Sequence, residues 1–204
     1  MASASLTNFT VPLASDQSST TQGLLMPKLK YRFRVTFQNF GINSDTTELT
    51  KQVIDFTRPA NNFNPFEIPV YNSRVYLVGK PEWEMVTVNL RDDVQGNVSL
   101  LVGQQVQRQF DFLEQSSAAS GVDYKFVTLL EMLDGGNGSF KPTVLESWEL
   151  DGCLIASLNY GDLNYETAAP ATIQLQLRFD NALQGAGEGI GVNVGRTTGS
   201  VITG

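Results

Sequence analysis

The sequence predicts a mainly β fold, an antiparallel β-sandwich or barrel with one flanking α-helix. Three observations predict it. Apolar and polar residues alternate along most of the middle of the chain, which is the pattern of strands with one buried face. Only residues 97–116 carry apolar residues at the helical spacings of three and four. Of the 204 residues, 41% are apolar and 10% aromatic, which suffices for a buried core and excludes a disordered chain.

Four strands are expected before the helix, in residues 30–38, 49–58, 68–79 and 83–91. The first alternates most regularly, and its apolar face consists of Tyr31, Phe33, Val35 and Phe37. In the second, Ile54 and Phe56 share one face, and Lys51 and Asp55 share the other. Short turns between such strands favour antiparallel pairing.

The single predicted helix, residues 97–116, begins with Asn97 as its N-cap. Its apolar stripe consists of Val98, Leu101, Val102, Val106, Phe110 and Leu113. Its polar side consists mostly of Gln104, Gln105, Gln107, Arg108 and Gln109. One apolar stripe predicts a helix that packs on a sheet with its other side in solvent.

Three further strands are expected after the helix, in residues 124–133, 145–152 and 172–181. The glycine-rich segment 134–138 predicts a hairpin turn between the first two. In 145–152, alternation places Glu149 and Asp151 on one face and Glu146 on the other. The three carboxylates are therefore not expected to form the closely spaced pair of a retaining glycosidase.

Three regions are predicted along the chain. Residues 1–26, rich in Ser and Thr, are expected to be an N-terminal arm, and residues 27–183 are expected to form the β-domain. Residues 184–204 contain a glycine-rich stretch that is costly to order, so a C-terminal arm is expected there. The sequence shows neither a basic and apolar leader nor a run of about 18 apolar residues that would span a membrane.

Catalytic and metal-binding residues are scarce. The chain has no His, which removes the commonest general base and metal ligand. Cys153 is the only Cys, so no disulfide forms within the chain, and its apolar neighbours predict a buried, inert thiol. Asp92 and Asp93 precede the helix, where carboxylates favour its positive end, so they are interpreted as helix-stabilising residues. We expect no enzyme activity, catalytic residue, metal or cofactor.

The charge argues against a nucleic-acid-binding protein. The net charge is −7, and the 14 Lys and Arg residues are scattered along the chain. Proteins that hold nucleic acid by its phosphates need clustered basic residues. An acidic surface is nevertheless compatible with nucleic acid that slides past without binding.

An ordered set of short motifs supports a family resemblance. Pro27 precedes the first strand, Arg58-Pro59 ends the second, and the segment Glu67-Ile68-Pro69-Val70-Tyr71 begins the third. Further on come Trp83-Glu84-Met85-Val86, Arg91-Asp92-Asp93, Tyr124-Lys125, Trp148-Glu149-Leu150-Asp151-Gly152-Cys153 and Phe179-Asp180-Asn181. Over residues 27–183 the sequence resembles the tail tube protein of contractile-tailed bacteriophages, a family related to the tube proteins of type VI secretion and of tailocins.

The resemblance implies a structural virion protein. Its subunits would form hexameric rings that stack into the tail tube and contact the tail sheath, baseplate and tail terminator proteins. DNA would pass through the channel into the host without specific binding, and no membrane anchor would be needed. The protein would be made in the cytoplasm of the host bacterium and end in the phage tail.

Two alternatives stay open at this point. A tailocin or secretion-system tube protein would have the same features. A β-sandwich carbohydrate-binding module would use Trp83, Trp148 or Tyr71 as an exposed platform. For the tube, the residues expected at the channel wall or a subunit interface are Lys51, Asp55, Asn72, Arg74, Glu149 and Asp151.

Overall fold

The computed structural model describes residues 27–42, 45–135, 141–166, 168–185 and 189–191. The chain divides into two compact units, Met1–Arg32 and Phe33–Gly204. In the first unit only residues 27–32 are described, and they contain a turn in which the Arg32 N–H donates to the Leu29 carbonyl at 3.2 Å. Every element below belongs to the second unit.

The described part of the chain contains thirteen strands and two α-helices. Before the longer helix lie β1 (Phe33–Gln38), α1 (Thr47–Gln52), β2 (Val53–Phe56), β3 (Asn61–Phe63), β4 (Phe66–Val70), β5 (Ser73–Leu77), β6 (Pro81–Trp83) and β7 (Val86–Arg91). Then follow α2 (Asn97–Gln109), β8 (Phe110–Asp111), β9 (Ser116–Ser117), β10 (Phe126–Leu133), β11 (Val144–Asn159), β12 (Thr172–Arg178) and β13 (Asn181–Gln184). The predicted mainly β, antiparallel fold is confirmed.

A seven-stranded antiparallel sheet forms the body, in the order β1-β10-β11-β12-β7-β2, with β13 also paired to β11. Leu154 pairs with Arg178 and Asp151 with Asn181, so β13 and the adjoining end of β12 follow one another along the same edge of β11 in one register. The register of β12 shifts further along, between Ile155 and Ser157. The 16-residue β11 therefore belongs to both halves of the sheet. Its first part joins β1, β10 and β13, and its second part joins β12, β7 and β2.

The core lies on one face of this sheet and under α2. Alternate residues of β7, β10, β11 and β12 are buried, which confirms the predicted period-two pattern. The core contains Val35, Phe37, Phe40, Leu49, Val86, Val88, Leu90, Val98, Leu101, Val102, Phe126, Leu130, Trp148, Leu150, Cys153, Ile155, Ile173, Leu175, Leu177, Phe179 and Ala182.

A glycine marks the corner between the two halves. The register between β10 and β11 shifts just before Cys153, which is a β-bulge, and Gly152 has a φ of +67°. A Cβ on Gly152 would lie 2.1 Å from Oδ2 of Asp180. That oxygen forms an ion pair with Lys125 at 2.5 Å. Only glycine fits this corner without moving Asp180.

Residues 49–58 are not one strand, and that prediction is wrong. Thr47–Gln52 is a helix, with the Asp45 carboxylate accepting the Thr47 N–H at 3.0 Å, and only Val53–Phe56 is extended. The helix buries Leu49 fully. The six residues contain a single apolar residue, Leu49. One apolar residue cannot distinguish a helical period from the alternation of a strand.

The predicted strand 68–79 is a hairpin, and 83–91 is also interrupted. β4 and β5 reverse direction at Tyr71 and Asn72, where Tyr71 has a φ of +35°. Sequence reasoning missed this turn because neither residue is Gly or Pro. The segment after Gly79 divides into β6 and β7, two strands that pair with different partners.

The helix α2 is shorter than predicted. It ends at Gln109, Gly96 is its N-cap and Asn97 its first residue, so the Asn97 cap prediction is wrong. Leu113, expected in the buried stripe, is 90% exposed beyond the helix end. Gln105, expected on the polar side, is fully buried because its amide bonds the Gly41 N–H and the Tyr124 carbonyl.

The three later strands are confirmed with changed bounds. β10 begins at Phe126, β11 continues to Asn159, and the last predicted strand is β12 followed by β13. Asp134 and Thr143 exchange hydrogen bonds of 2.9 and 3.0 Å across the predicted hairpin. The glycines at 136 and 138, like residues 1–26 and most of 184–204, lie outside the described residues. Near that end, the Gln184 N–H donates to the Ile190 carbonyl at 2.7 Å.

Candidate assembly interface

Residues 61–83 form a two-part hairpin, which we name the arm. It is distinct from the N-terminal and C-terminal arms predicted at residues 1–26 and 184–204. Its stem is the pair β3 and β6, in which Asn61 lies opposite Trp83. Its tip is the pair β4 and β5, in which Phe66 lies opposite Leu77. Neither pair belongs to the seven-stranded sheet. Every residue of the two tip strands is exposed, and the two strands pair only with each other, so the tip is a two-stranded ribbon.

The tip has one apolar and one polar face. Ile68 lies opposite Val75, and residues opposite one another share a face. The opposite face holds an ion pair between Arg74 and Glu67 at 3.2 Å. The apolar face carries no charge and consists of Phe66, Ile68, Val70, Val75 and Leu77, each between 40% and 52% exposed.

The arm is fixed to the body at its root. The Glu84 N–H donates to the Ala60 carbonyl at 2.9 Å, and the Trp83 ring lies 5.6 Å from the Phe179 ring. On the incoming side, Arg58 pairs with the carboxylate of Glu146, which is only 5% exposed. These contacts hold both ends of the arm on core residues, so its position follows from the packing of the body.

A close backbone approach separates stem from tip. At Gly79, a Cβ would lie 1.8 Å from the carbonyl oxygen of Asn64, so any side chain there would displace the facing strand. Pro65 follows Asn64 and removes a backbone donor at the same level. The ladder is interrupted here, between the β3–β6 pairs and the β4–β5 pairs.

The six residues expected at a wall or interface lie in four places. Asn72 and Arg74 lie on the tip, at its turn and on its polar face. Glu149 and Asp151 lie together on the face of β11 that points away from the core. Glu146 lies on the opposite, core-facing side, as the alternation predicted. Whether any of them faces a channel stays a prediction.

The remaining two lie apart, on α1 and β2. Lys51 belongs to α1, where it pairs with Glu48 at 2.7 Å, so it does not share a strand face with Asp55. Asp55 lies on β2, and both of its carboxylate oxygens accept from the Asn89 amide at 2.9 and 3.0 Å. Lys51 thus pairs within its own helix, and Asp55 is bound by the neighbouring strand β7.

Cys153 and Asp93 lie where the sequence predicted them. Cys153 is buried, and burial raises the pKa of its thiol from 9.0 to about 11, which suppresses the reactive thiolate. Asp93 accepts the Val98 N–H at 3.0 Å at the start of α2, as interpreted from the sequence. Among the described residues, no group of three or more His, Cys, Asp and Glu could hold a metal ion. No helix of the described chain is long and apolar enough for a membrane span.

The tryptophans do not form a carbohydrate platform. Trp148 is 7% exposed, and its indole N–H donates to Glu146 at 2.6 Å. Trp83 packs on Phe179 at the edge of the core. Of the three candidate residues only Tyr71, at the tip turn, is open to solvent.

Solved structures with a similar fold come from contractile injection particles. A chain of the PVC sheath/tube terminator in the extended state superposes with a TM-score of 0.59 at 12% identity, covering 80% of this chain and 100% of that chain. A chain of the anti-feeding prophage tube-terminating cap gives 0.56 at 15% identity, covering 87% and 100%. A chain of the PVC sheath–tube complex gives 0.54 at 13%, covering 78% and 92%.

The chain has the tube-protein fold of contractile injection systems. The predicted resemblance to the tail tube family is thereby confirmed at the level of the fold, since identities of 12–15% carry no more than that. No family model matches the chain, and no curated protein matches it. The arm is an exposed surface that the sequence pattern did not predict.

Proposed function

We propose that the chain is a structural subunit that assembles with copies of itself into rings and a stacked tube. The observation that carries the proposal is the arm. Its tip presents five large apolar residues on one face, and the body of its own chain does not cover them. A two-stranded hairpin alone is marginally stable in water, and an apolar patch of this kind marks an interaction site.

The partner is another copy of this chain. A tube built from one protein needs a protruding element that reaches beyond each subunit, and the arm is anchored at its root so that it can do so. Closure into rings and stacking also cover the exposed edge strands β1 and β2, which end the sheet order. Hexameric rings follow the family expectation and enter the proposal on that basis.

The tube belongs to a contractile particle, in which sheath, baseplate and terminator proteins are its further partners. Similarity to chains of sheath–tube and terminator structures supports this assignment. We assign the tube to a phage tail that delivers DNA, and a tailocin or secretion tube is the alternative of the same class. Six copies would carry a charge of about −40 (6 × −7), which repels phosphates and favours passage over binding. The role is structural, without enzyme activity.

Purified protein tests the proposal by sedimentation velocity and negative-stain electron microscopy. We expect rings or open tubes, and a 22.3 kDa monomer at all concentrations would contradict the proposal. Ile68→Asp places a charge on the apolar face of the tip and should abolish assembly. Glu67→Gln alters the polar face and is the matched control that should assemble. Single rings that never stack would indicate a tube terminator in place of the repeating tube subunit.

A further inference from the structure

A second apolar surface lies on the outer side of α2. It is an open groove of about 560 Å³ whose lining includes Ile42, Leu100, Gly103, Gln104 and Gln107. Ile42 is 71% exposed and Leu100 is 56% exposed. The groove contains no ionisable side chain among its lining residues.

The groove is built in advance of any partner. The Gly41–Ile42 loop is held on α2 by hydrogen bonds from its backbone N–H groups to Gln105 at 2.9 Å and to Gln104 at 3.4 Å. Arg108 donates to the Gly41 carbonyl from the same helix. These bonds keep Ile42 beside Leu100 in solvent although both side chains would be more stable buried, so the groove needs no rearrangement to bind.

We propose that this groove receives the apolar face of the arm tip from a second copy of the chain. The proposal rests on the proposed function and names the receiving surface of that contact. The lengths are compatible, because Phe66–Val70 extends about 13 Å from first to last Cα and the α2 segment 96–107 rises about 16 Å, so the strand fits within the groove. Both surfaces are uncharged on a chain of net charge −7, so their contact buries apolar area without bringing acidic groups together.

The contact is heterologous, since a tip meets a groove and leaves one free tip and one free groove on each pair. Such contacts repeat into rings or helical stacks instead of stopping at a dimer. The ion-paired face of the tip, with Glu67 and Arg74, stays in solvent or at the rim.

Cysteine cross-linking between two variants tests the proposal in the full-length protein. Ile68→Cys and Leu100→Cys proteins are mixed and oxidised. The native thiol gives little background because Cys153 is buried. We expect a disulfide-linked dimer of about 45 kDa, twice 22.3 kDa, in the mixture and not in either variant alone. Glu67→Cys with Leu100→Cys is the matched control, since Glu67 faces away, and it should yield little dimer.

The outcomes separate this inference from the proposed function. If Ile68→Cys links only to itself, or if no link forms although the proteins assemble together, the groove is not the receiving surface. A Leu100→Asp variant that assembles as the natural chain does would overturn the inference in the same way while leaving the tube function intact. If the natural chain never assembles, the proposed function itself fails.

Discussion

At the residue scale, glutamine amides of α2 fix irregular backbone. Gln109 accepts the Ile155 N–H at 2.8 Å and donates to the Ile155 carbonyl at 3.0 Å, so its amide replaces a neighbouring strand beyond the point where β10 pairing with β11 stops. Gln105 does the same for Gly41 and Tyr124. Both amides satisfy backbone groups that would otherwise be buried without partners.

Cys153 should make stability depend on alkaline pH. Its folded pKa of about 11 lies above the ordinary 9.0, so the native state binds the proton more tightly. The contribution is complete below about pH 9 and is lost as the pH rises through about 11. Urea unfolding should show that the natural chain loses about 1 kcal/mol more than Cys153→Ala between about pH 8 and about pH 10. Equal losses in the two proteins would contradict this assignment.

At the scale of elements, the long ribbon of β11 with β12 and β13 organises the body. It turns from one half of the sheet to the other at Gly152, where Asp180 occupies the space a side chain would need. The arm is a second ribbon, rooted on the core, and its tip strands pair only with each other. The first ribbon contributes buried side chains to the core, so a change at its corner affects stability, whereas the tip of the second ribbon is exposed.

Gly152→Ala should therefore destabilise the fold by about 2–4 kcal/mol, because left-handed strain adds to the collision with Asp180. Gly96→Ala is the matched control. Gly96 has a nearly equal φ of +72°, yet a Cβ there meets nothing within 4 Å, so it should cost only about 1 kcal/mol. Chemical denaturation of both variants measures the difference, and equal losses would show that the collision is relieved cheaply.

The elements also show where sequence reasoning succeeds. Alternation predicted β1, β10 and β12 because each buries one face along its whole length. It failed at the arm, since the exposed tip has the apolar pattern of a core strand. Nothing local distinguishes Ile68, which is 40% exposed, from Leu175, which is fully buried. Among the candidate wall residues, only the relation of Glu149 and Asp151 to Glu146 followed from alternation alone.

At the scale of the whole molecule, apolar contacts must overcome like-charge repulsion. Each copy carries −7, whereas the tip and the groove are neutral. Added salt shortens the Debye length from about 10 Å at 0.1 M to about 3 Å at 1 M and leaves apolar burial in place. The protein concentration needed for assembly should therefore fall as NaCl rises.

Sedimentation velocity at about 0.05 and about 0.5 M NaCl measures this, with Ile68→Asp as a control that should stay unassembled at both salt concentrations. Assembly that weakens with salt would instead show that ion pairs between copies dominate the contact.

The shared ribbon also has a mechanical consequence if the chain belongs to a contractile particle as proposed. Because β12 and β13 both pair with the same edge of β11, tension along the strand direction loads their inter-strand hydrogen bonds together in shear. A ladder pulled from its end would open one bond at a time, whereas a ladder in shear yields only when many bonds fail at once. Each subunit is thus expected to resist tension best along the ribbon.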